Sequence, residues 1–153
     1  MKPGLVRTLL SALAIVAVAG VSYSVGAMQG AKAVNMPVAS LKWEPAAPGS
    51  PLTVASLWGG DRTKSSDHGI LLKIPAGFEA GGHSHTAAYH AVAIQGAWIH
   101  TNDATKNGRE YPVGSYVYQP GKQVHNDICK GPGDCIVFIH QHGPSDFVPA
   151  KAP

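Results

Sequence analysis

Gly77-Phe78-Glu79-Ala80-Gly81-Gly82-His83-Ser84-His85-Thr86-Ala87-Ala88-Tyr89-His90 places three histidines within eight positions of a 153-residue chain. A neutral imidazole binds borderline metal ions without having to lose a proton near neutral pH, which makes it the commonest protein metal ligand. His83 and His85 stand two apart. On an extended chain such residues project from one face, so both rings can aim at one point. A further histidine, His125, follows a Pro120-Gly121 turn.

Outward from this stretch, the chain reads as short strands separated by turns. Leu52–Leu57 and Gly69–Ile74 are apolar runs with Gly59-Gly60-Asp61 and Ser65-Ser66-Asp67 between them. Tyr89–Ile94 leads to Gly96, and Ala97–His100 runs to a turn at Asn102-Asp103. Asn107-Gly108 is another turn, Gly114–Gln119 alternates into Pro120-Gly121, and Cys135–His140 is the last apolar run before Gly143-Pro144. Gly and Pro are frequent, charges are sparse and no amphipathic helical repeat is present. The pattern predicts an all-β sandwich or barrel. Alternation puts His90, Val92 and Ile94 on one face of their strand, with Ala91, Ala93 and Gln95 on the other. On the last strand it separates Ile136, Phe138, His140 and His142 from Cys135, Val137, Ile139 and Gln141. Which face lines the interior is left open.

The ends read differently. Lys2 and Arg7 precede an apolar run from Leu9 to about Val25, followed by the small-residue patterns Val25-Gly26-Ala27 and Ala31-Lys32-Ala33. Residues 1–33 are therefore expected to be a signal peptide or a retained N-terminal anchor, and the rest of the chain to be periplasmic or secreted. Lys2, Arg7 and Lys32 account for the whole +3 formal charge, so the remainder has no basic excess and nucleic-acid binding is excluded. Residues 34–51, rich in Pro and Ala, read as an extended lead-in, 52–148 as the β-domain, and 149–153 as a tail, with fraying expected from Phe147 onward. Cys129 and Cys135, the only cysteines, flank Lys130-Gly131-Pro132-Gly133-Asp134. In an oxidising compartment a disulfide closing that turn is expected, and the spacing fits neither a Cys-x-x-Cys redox motif nor a zinc knuckle.

Two spaced motifs give the histidines a frame. Gly77 is followed by five residues, His83-Ser84-His85, four residues and His90, with Gly96 closing the segment. Gly114 is followed by five residues, Pro120-Gly121 and then His125. These resemble the two motifs of the cupin superfamily. Leu57-Trp58-Gly59-Gly60-Asp61, Leu71–Phe78 and Gly114–Gly121 are similar to small bacterial cupins related to the cupin domain of the anti-sigma factor ChrR. The resemblance implies a single-domain jelly-roll β-barrel with a metal at its mouth held by His83, His85 and His125. The chain departs from the pattern in two places. His90 stands where cupins carry Glu, offering a fourth imidazole or no ligand, and the second-motif glycine has moved one place to Gly121.

All-nitrogen ligation suits one divalent transition metal, Zn, Fe, Cu or Ni, and the uncompensated charge favours an anionic or enolate-like substrate. The expected function is an exported metal-binding cupin acting on a small molecule, with a mononuclear dioxygenase as its chemistry. The alternatives are a non-enzymatic metal- or ligand-binding or sensing module and a metal-free carbohydrate-binding jelly roll. Expected partners are the small molecule, the membrane only through an uncleaved N-terminus, and, as an open alternative, a second copy in a homodimer. His140 and His142 form a second His-x-His without a family motif and read as outer partners of the metal ligands at most. His68 and His100 flank turns and read as solvated, Glu79 as a solvated loop residue, and Tyr89, Tyr116, Tyr118 and Trp98 as core or pocket wall.

Overall fold

The computed structural model describes residues 32–151. The expected signal segment therefore falls, save for its last two positions, outside the described residues. Eleven strands follow a single 3-10 turn at Val38–Ser40: β1 (Glu44–Pro45), β2 (Thr53–Trp58), β3 (His68–Ile74), β4 (His83–Ser84), β5 (Tyr89–Gln95), β6 (Trp98–His100), β7 (Arg109–Tyr111), β8 (Tyr116–Gln119), β9 (Asp127–Cys129), β10 (Cys135–Gln141) and β11 (Val148–Pro149). They form a six-stranded sheet in the order β1-β2-β3-β10-β5-β8, a three-stranded sheet β7-β6-β9 and a two-stranded sheet β11-β4. Among the described residues no helix is long and apolar enough to cross a membrane.

Every run expected to be a strand is one, to within two residues at its ends. The additional strands are two or three residues long, too short to leave a period-2 signature. The fold is the expected all-β, cupin-like one, but its sheets do not close into a barrel. No ladder joins the edge strands β1 and β8 to the two smaller sheets, and the sheets enclose the core as an open sandwich of cupin type.

Alternation settles the two open faces. On β5, Tyr89, Ala91 and Ala93 are buried, and on β10 Val137 and Gln141 are, so His90, Val92, Ile94, Phe138 and His140 point outward. The core gathers Ile74, Ala91, Val117 and Val137 from the large sheet with Trp98 and Cys129 from the three-stranded one. Packing across the gap is what the apolar alternation in both sheets stabilises. A disulfide joins Cys129 to Cys135 at the same end of the core.

Two segments differ from expectation. Glu44–Pro45, inside the lead-in, pairs with Val54 and Thr53 at the edge of the large sheet, while Lys73 lies 4.2 Å over the Trp43 ring. The C-terminal stretch does not fray: Val148 and Pro149 pair with Ser84 and His83. The tail thus adds its strand directly to the first histidine motif.

Candidate metal centre

His83 lies on β4, His85 just beyond it and His125 just before β9. His83 and His125 face each other through a two-way backbone bridge, His83 N to His125 O at 2.9 Å and His125 N to His83 O at 2.8 Å. Each ring is fixed at its Nδ1. The His83 Nδ1–H donates to the Gly81 carbonyl at 2.8 Å, that of His125 to Gln123 at 3.3 Å, and that of His85 to Asp146. This sets one tautomer for all three and turns every Nε2 lone pair away from the backbone, that of His125 accepting from the Tyr89 hydroxyl at 3.2 Å. One nitrogen from each ring lies within 4.8 Å of the others. Phe147, from the tail, stacks on His83 with ring centroids 4.4 Å apart and limits its rotation.

The turn before His125 shows what the displaced glycine does. Lys122, at the position where the cupin motif has glycine, is the one non-glycine residue with positive φ among the described residues, at 64°. Its N–H reaches the His85 carbonyl at 2.7 Å, so the strained residue holds the first motif against the second. Gly121 cannot surrender its place, because a Cβ there would run into the Thr86 carbonyl.

His90 does not join this group. Its neighbour Tyr89 takes the inward position, and His90 projects from the outer face, where its Nδ1 is 2.7 Å from the Tyr116 hydroxyl. The carboxylate nearest the ligand rings is that of Asp127. Its Oδ2 lies 3.5 Å from His125 Nε2 and 3.7 Å from His83 Nε2. Its Oδ1 accepts from Trp98 Nε1–H at 2.8 Å and from His100 Nδ1–H at 2.9 Å. Asp127 was legible in principle, since His125-Asn126-Asp127 repeats the x-spacing of His83-Ser84-His85 on an extended chain.

His100 and His68 are corrections. Both were expected to be solvated, yet His100 is 2 % exposed and His68 is fully buried. His68 faces inward from β3 and bonds the Ser145 hydroxyl at 2.9 Å. His100 bonds Asp127 through Nδ1 and Gln119 Oε1 through Nε2, at 3.1 Å. The Gln119 amide nitrogen donates to the Pro120 and Gln123 carbonyls, so its oxygen must accept and His100 carries both protons. Burial works against that charge, but the hydrogen bond and the charge of Asp127 outweigh it and raise the His100 pKa. Asp127 is correspondingly held at about 2: burial opposes ionisation, and His100 overcomes it. The ligand histidines go the other way. Burial lowers His83, and it lowers His125 to about 4, so both are neutral and able to bind metal well below pH 7. Glu79 is tied to Asn126 and Lys106 rather than free in solvent.

A cavity of about 560 Å³ opens beside the centre. Val54, Ile70, Leu72, Val137 and Ile139 line it from the large sheet, His83, His85, Tyr89 and Asp127 form one polar wall, and Arg62 and the 46–50 segment border it. Burial keeps the Tyr89 phenol strongly protonated, and its hydroxyl is 3.2 Å from His125 Nε2.

Three converging imidazoles and a buried carboxylate at the mouth of a double-stranded β-helix define a cupin-type protein with a donor set fit for one divalent transition ion. The chain belongs to the family described as a domain of unknown function, DUF4437, which matches residues 37–152. No curated protein sequence matches it. Solved structures share the fold. An RmlC-like cupin protein from Ralstonia eutropha aligns at 24 % identity over 73 % of this chain and 69 % of its own, with a TM-score of 0.58. KdgF from Halomonas sp. aligns at 13 % identity over 72 % and 94 %, with a TM-score of 0.55. The Rhodobacter sphaeroides complex of SigE with the anti-sigma ChrR aligns at 20 % identity and a TM-score of 0.54; the match covers 69 % of this chain and only 51 % of that one.

Proposed function

We propose that this protein is an exported metal-binding cupin that admits a largely apolar small molecule with an anionic or enol head group. The observation that carries the reading is the convergence of three Nε2 lone pairs, each pre-set by an Nδ1–H bonded to a backbone carbonyl, at the polar wall of an apolar cavity. An ion held by His83, His85 and His125 supplies Lewis acidity and, if redox-active, a place for O₂ chemistry. Asp127 does not cancel its charge, because that carboxylate is already matched by protonated His100, so the head group of the bound molecule is expected to be negative. Leu72, Val137 and Ile139 take the apolar body and exclude water, and the Tyr89 hydroxyl, bonded to His125 Nε2 in the metal-free chain, would be released to donate to the head group once an ion takes that nitrogen.

Dioxygenation is the reaction class this wall serves best, because the carboxylates near it are engaged. Asp127 is bonded to Trp98 and His100, and Asp146 to the backbone and hydroxyl of Thr86. Both carboxyls are also held below the usual carboxylate range, which makes them weak bases near neutral pH. Export is supported by the Cys129–Cys135 disulfide, which persists in an oxidising compartment. A second reading, a non-catalytic binding or sensing module, draws on Asp127 Oδ2, which lies near two of the three ligand rings and, on moving toward the ion, would become a fourth ligand closing the site.

Elemental analysis of protein from the exported fraction tests the centre, with His83→Ala expected to lower metal content by one equivalent per chain. Reconstituted with Fe(II), Cu or Ni, the protein is expected to consume O₂ with diketones, flavonols or thiols. Metal-loaded protein inert toward all three loses the dioxygenase reading. A closed four-ligand site by X-ray absorption would then favour the binding module.

A further inference from the structure

The outer face of the large sheet carries a second constellation that the centre above does not use. Asp67 ends the 59–67 loop, and His140 and His142 sit at the end of β10 on the face opposite the cavity. Asp67 Oδ1 lies 2.8 Å from His140 Nε2 and 3.0 Å from His142 Nδ1. Two ligands each about 2.0–2.1 Å from one ion are separated by roughly 2.9–3.4 Å for angles between octahedral and tetrahedral, so the distances already approximate edges of a coordination polyhedron.

The arrangement is held from behind. Asp67 Oδ2 accepts from Trp58 Nε1–H at 3.2 Å, which turns Oδ1 toward the two imidazoles. Trp58 reaches that position because Gly69, paired with His140 across the β3–β10 ladder, has no side chain: a Cβ there would lie within the indole ring. On the other side β5 brings His90 opposite His140, with ring centroids 6.3 Å from His140 and 6.4 Å from His142. The Tyr116 hydroxyl engages His90 Nδ1, so the His90 ring is held beside the patch without entering the three-residue group.

We infer that Asp67, His140 and His142, with His90 beside them, form a second divalent transition-metal site on the outer sheet face. Two imidazoles and one carboxylate with open positions suit Zn²⁺, Cu²⁺ or Ni²⁺ in preference to Mg²⁺ or Ca²⁺, which take all-oxygen shells. Bound there, the ion ties the 59–67 loop to the end of β10.

The test is a titration of the metal-free, full-length protein with Zn²⁺ alone, followed by calorimetry. Wild type is expected to take two equivalents, His142→Ala and Asp67→Asn one each, and His142→Ala combined with His83→Ala none. Zn²⁺ should also raise the melting temperature of His83→Ala but not that of the combined variant. If His142→Ala and Asp67→Asn bind as many equivalents as wild type, the outer site is overturned. One equivalent in wild type that survives His83→Ala and vanishes in His142→Ala keeps the outer site and overturns the inner centre. The converse pattern keeps the centre and overturns the outer site.

Discussion

The protein carries the same tripeptide pattern twice, His83-Ser84-His85 and His140-Gln141-His142, and the two copies live in opposite environments. In the first, each ring is braced by a backbone carbonyl, His83 is buried, and the free nitrogens meet His125 and the buried, charge-paired Asp127. In the second, the nitrogens turn to one solvent-facing carboxylate, with His142 well exposed. Spacing alone puts two imidazoles on one side of a strand. What surrounds that side decides whether they are braced by backbone carbonyls beside buried partners or turn to a solvent-facing acid. The inner pair is pre-organised at a cost shared by the fold, whereas the outer pair depends on Asp67 and on the indole behind it.

The sharpest way to break the contrast is to remove each carboxylate. Asp127→Asn leaves His100 buried without its counter-charge, and a loss of about 3 kcal/mol in unfolding free energy is expected by denaturant titration. Asp67→Asn faces solvent and is expected to leave the midpoint of the metal-free protein near wild type. Equal losses at the two sites would mean that burial does not separate them.

Acid probes the same difference. His125 is held at about 4 and His83 is also lowered, so between pH 6.5 and 4 the unfolded chain takes up protons that the metal-free folded chain refuses. Stability should therefore fall as pH drops through that window, by up to one proton per group, and fall again below about 4 as Asp127 loses its advantage. His100, being raised, works in reverse: its contribution is complete below pH 6.5 and fades as pH rises through its folded value. His125→Phe should flatten the slope between pH 6.5 and 4. An unchanged slope would place the proton uptake elsewhere.

Smaller effects sharpen the picture on each side. Gly69→Ala pushes a methyl group into the Trp58 ring, at an expected 1–3 kcal/mol, and should cost the outer cluster its Zn²⁺ while sparing the inner one. Lys122→Gly, in the turn that holds His85, should stabilise by only about 0.5 kcal/mol. Relief of roughly 1–2 kcal/mol of left-handed strain is mostly offset by the added freedom of glycine in the unfolded chain. A large destabilisation would show that the Lys122 side chain contributes through contacts of its own.

Much of this was legible before any coordinates. The apolar runs gave the long strands, and two spaced motifs brought His83, His85 and His125 together across 40 residues of chain. The remainder was not local. His100 and Asp127 look like turn-flanking polar residues in one dimension, and only the β6–β9 ladder, which pairs them directly, makes them a buried ion pair. The tail looked frayed because two-residue strands carry no period, yet it supplies Phe147 to the His83 ring.

His90 marks the boundary between the two kinds of knowledge. Sequence by itself determined that His90, Val92 and Ile94 share one face and that Tyr89, Ala91 and Ala93 share the other, because side chains alternate along any strand. Only the tertiary structure decided which face is the interior, because that depends on what packs across the gap: Trp98 and the other buried residues of the second sheet take the small, inward-facing Ala91 and Ala93. With that choice made, His90 leaves the cavity, Asp127 pairs with His100 beside the ligand rings, and the second His-x-His becomes an outward-facing cluster of its own.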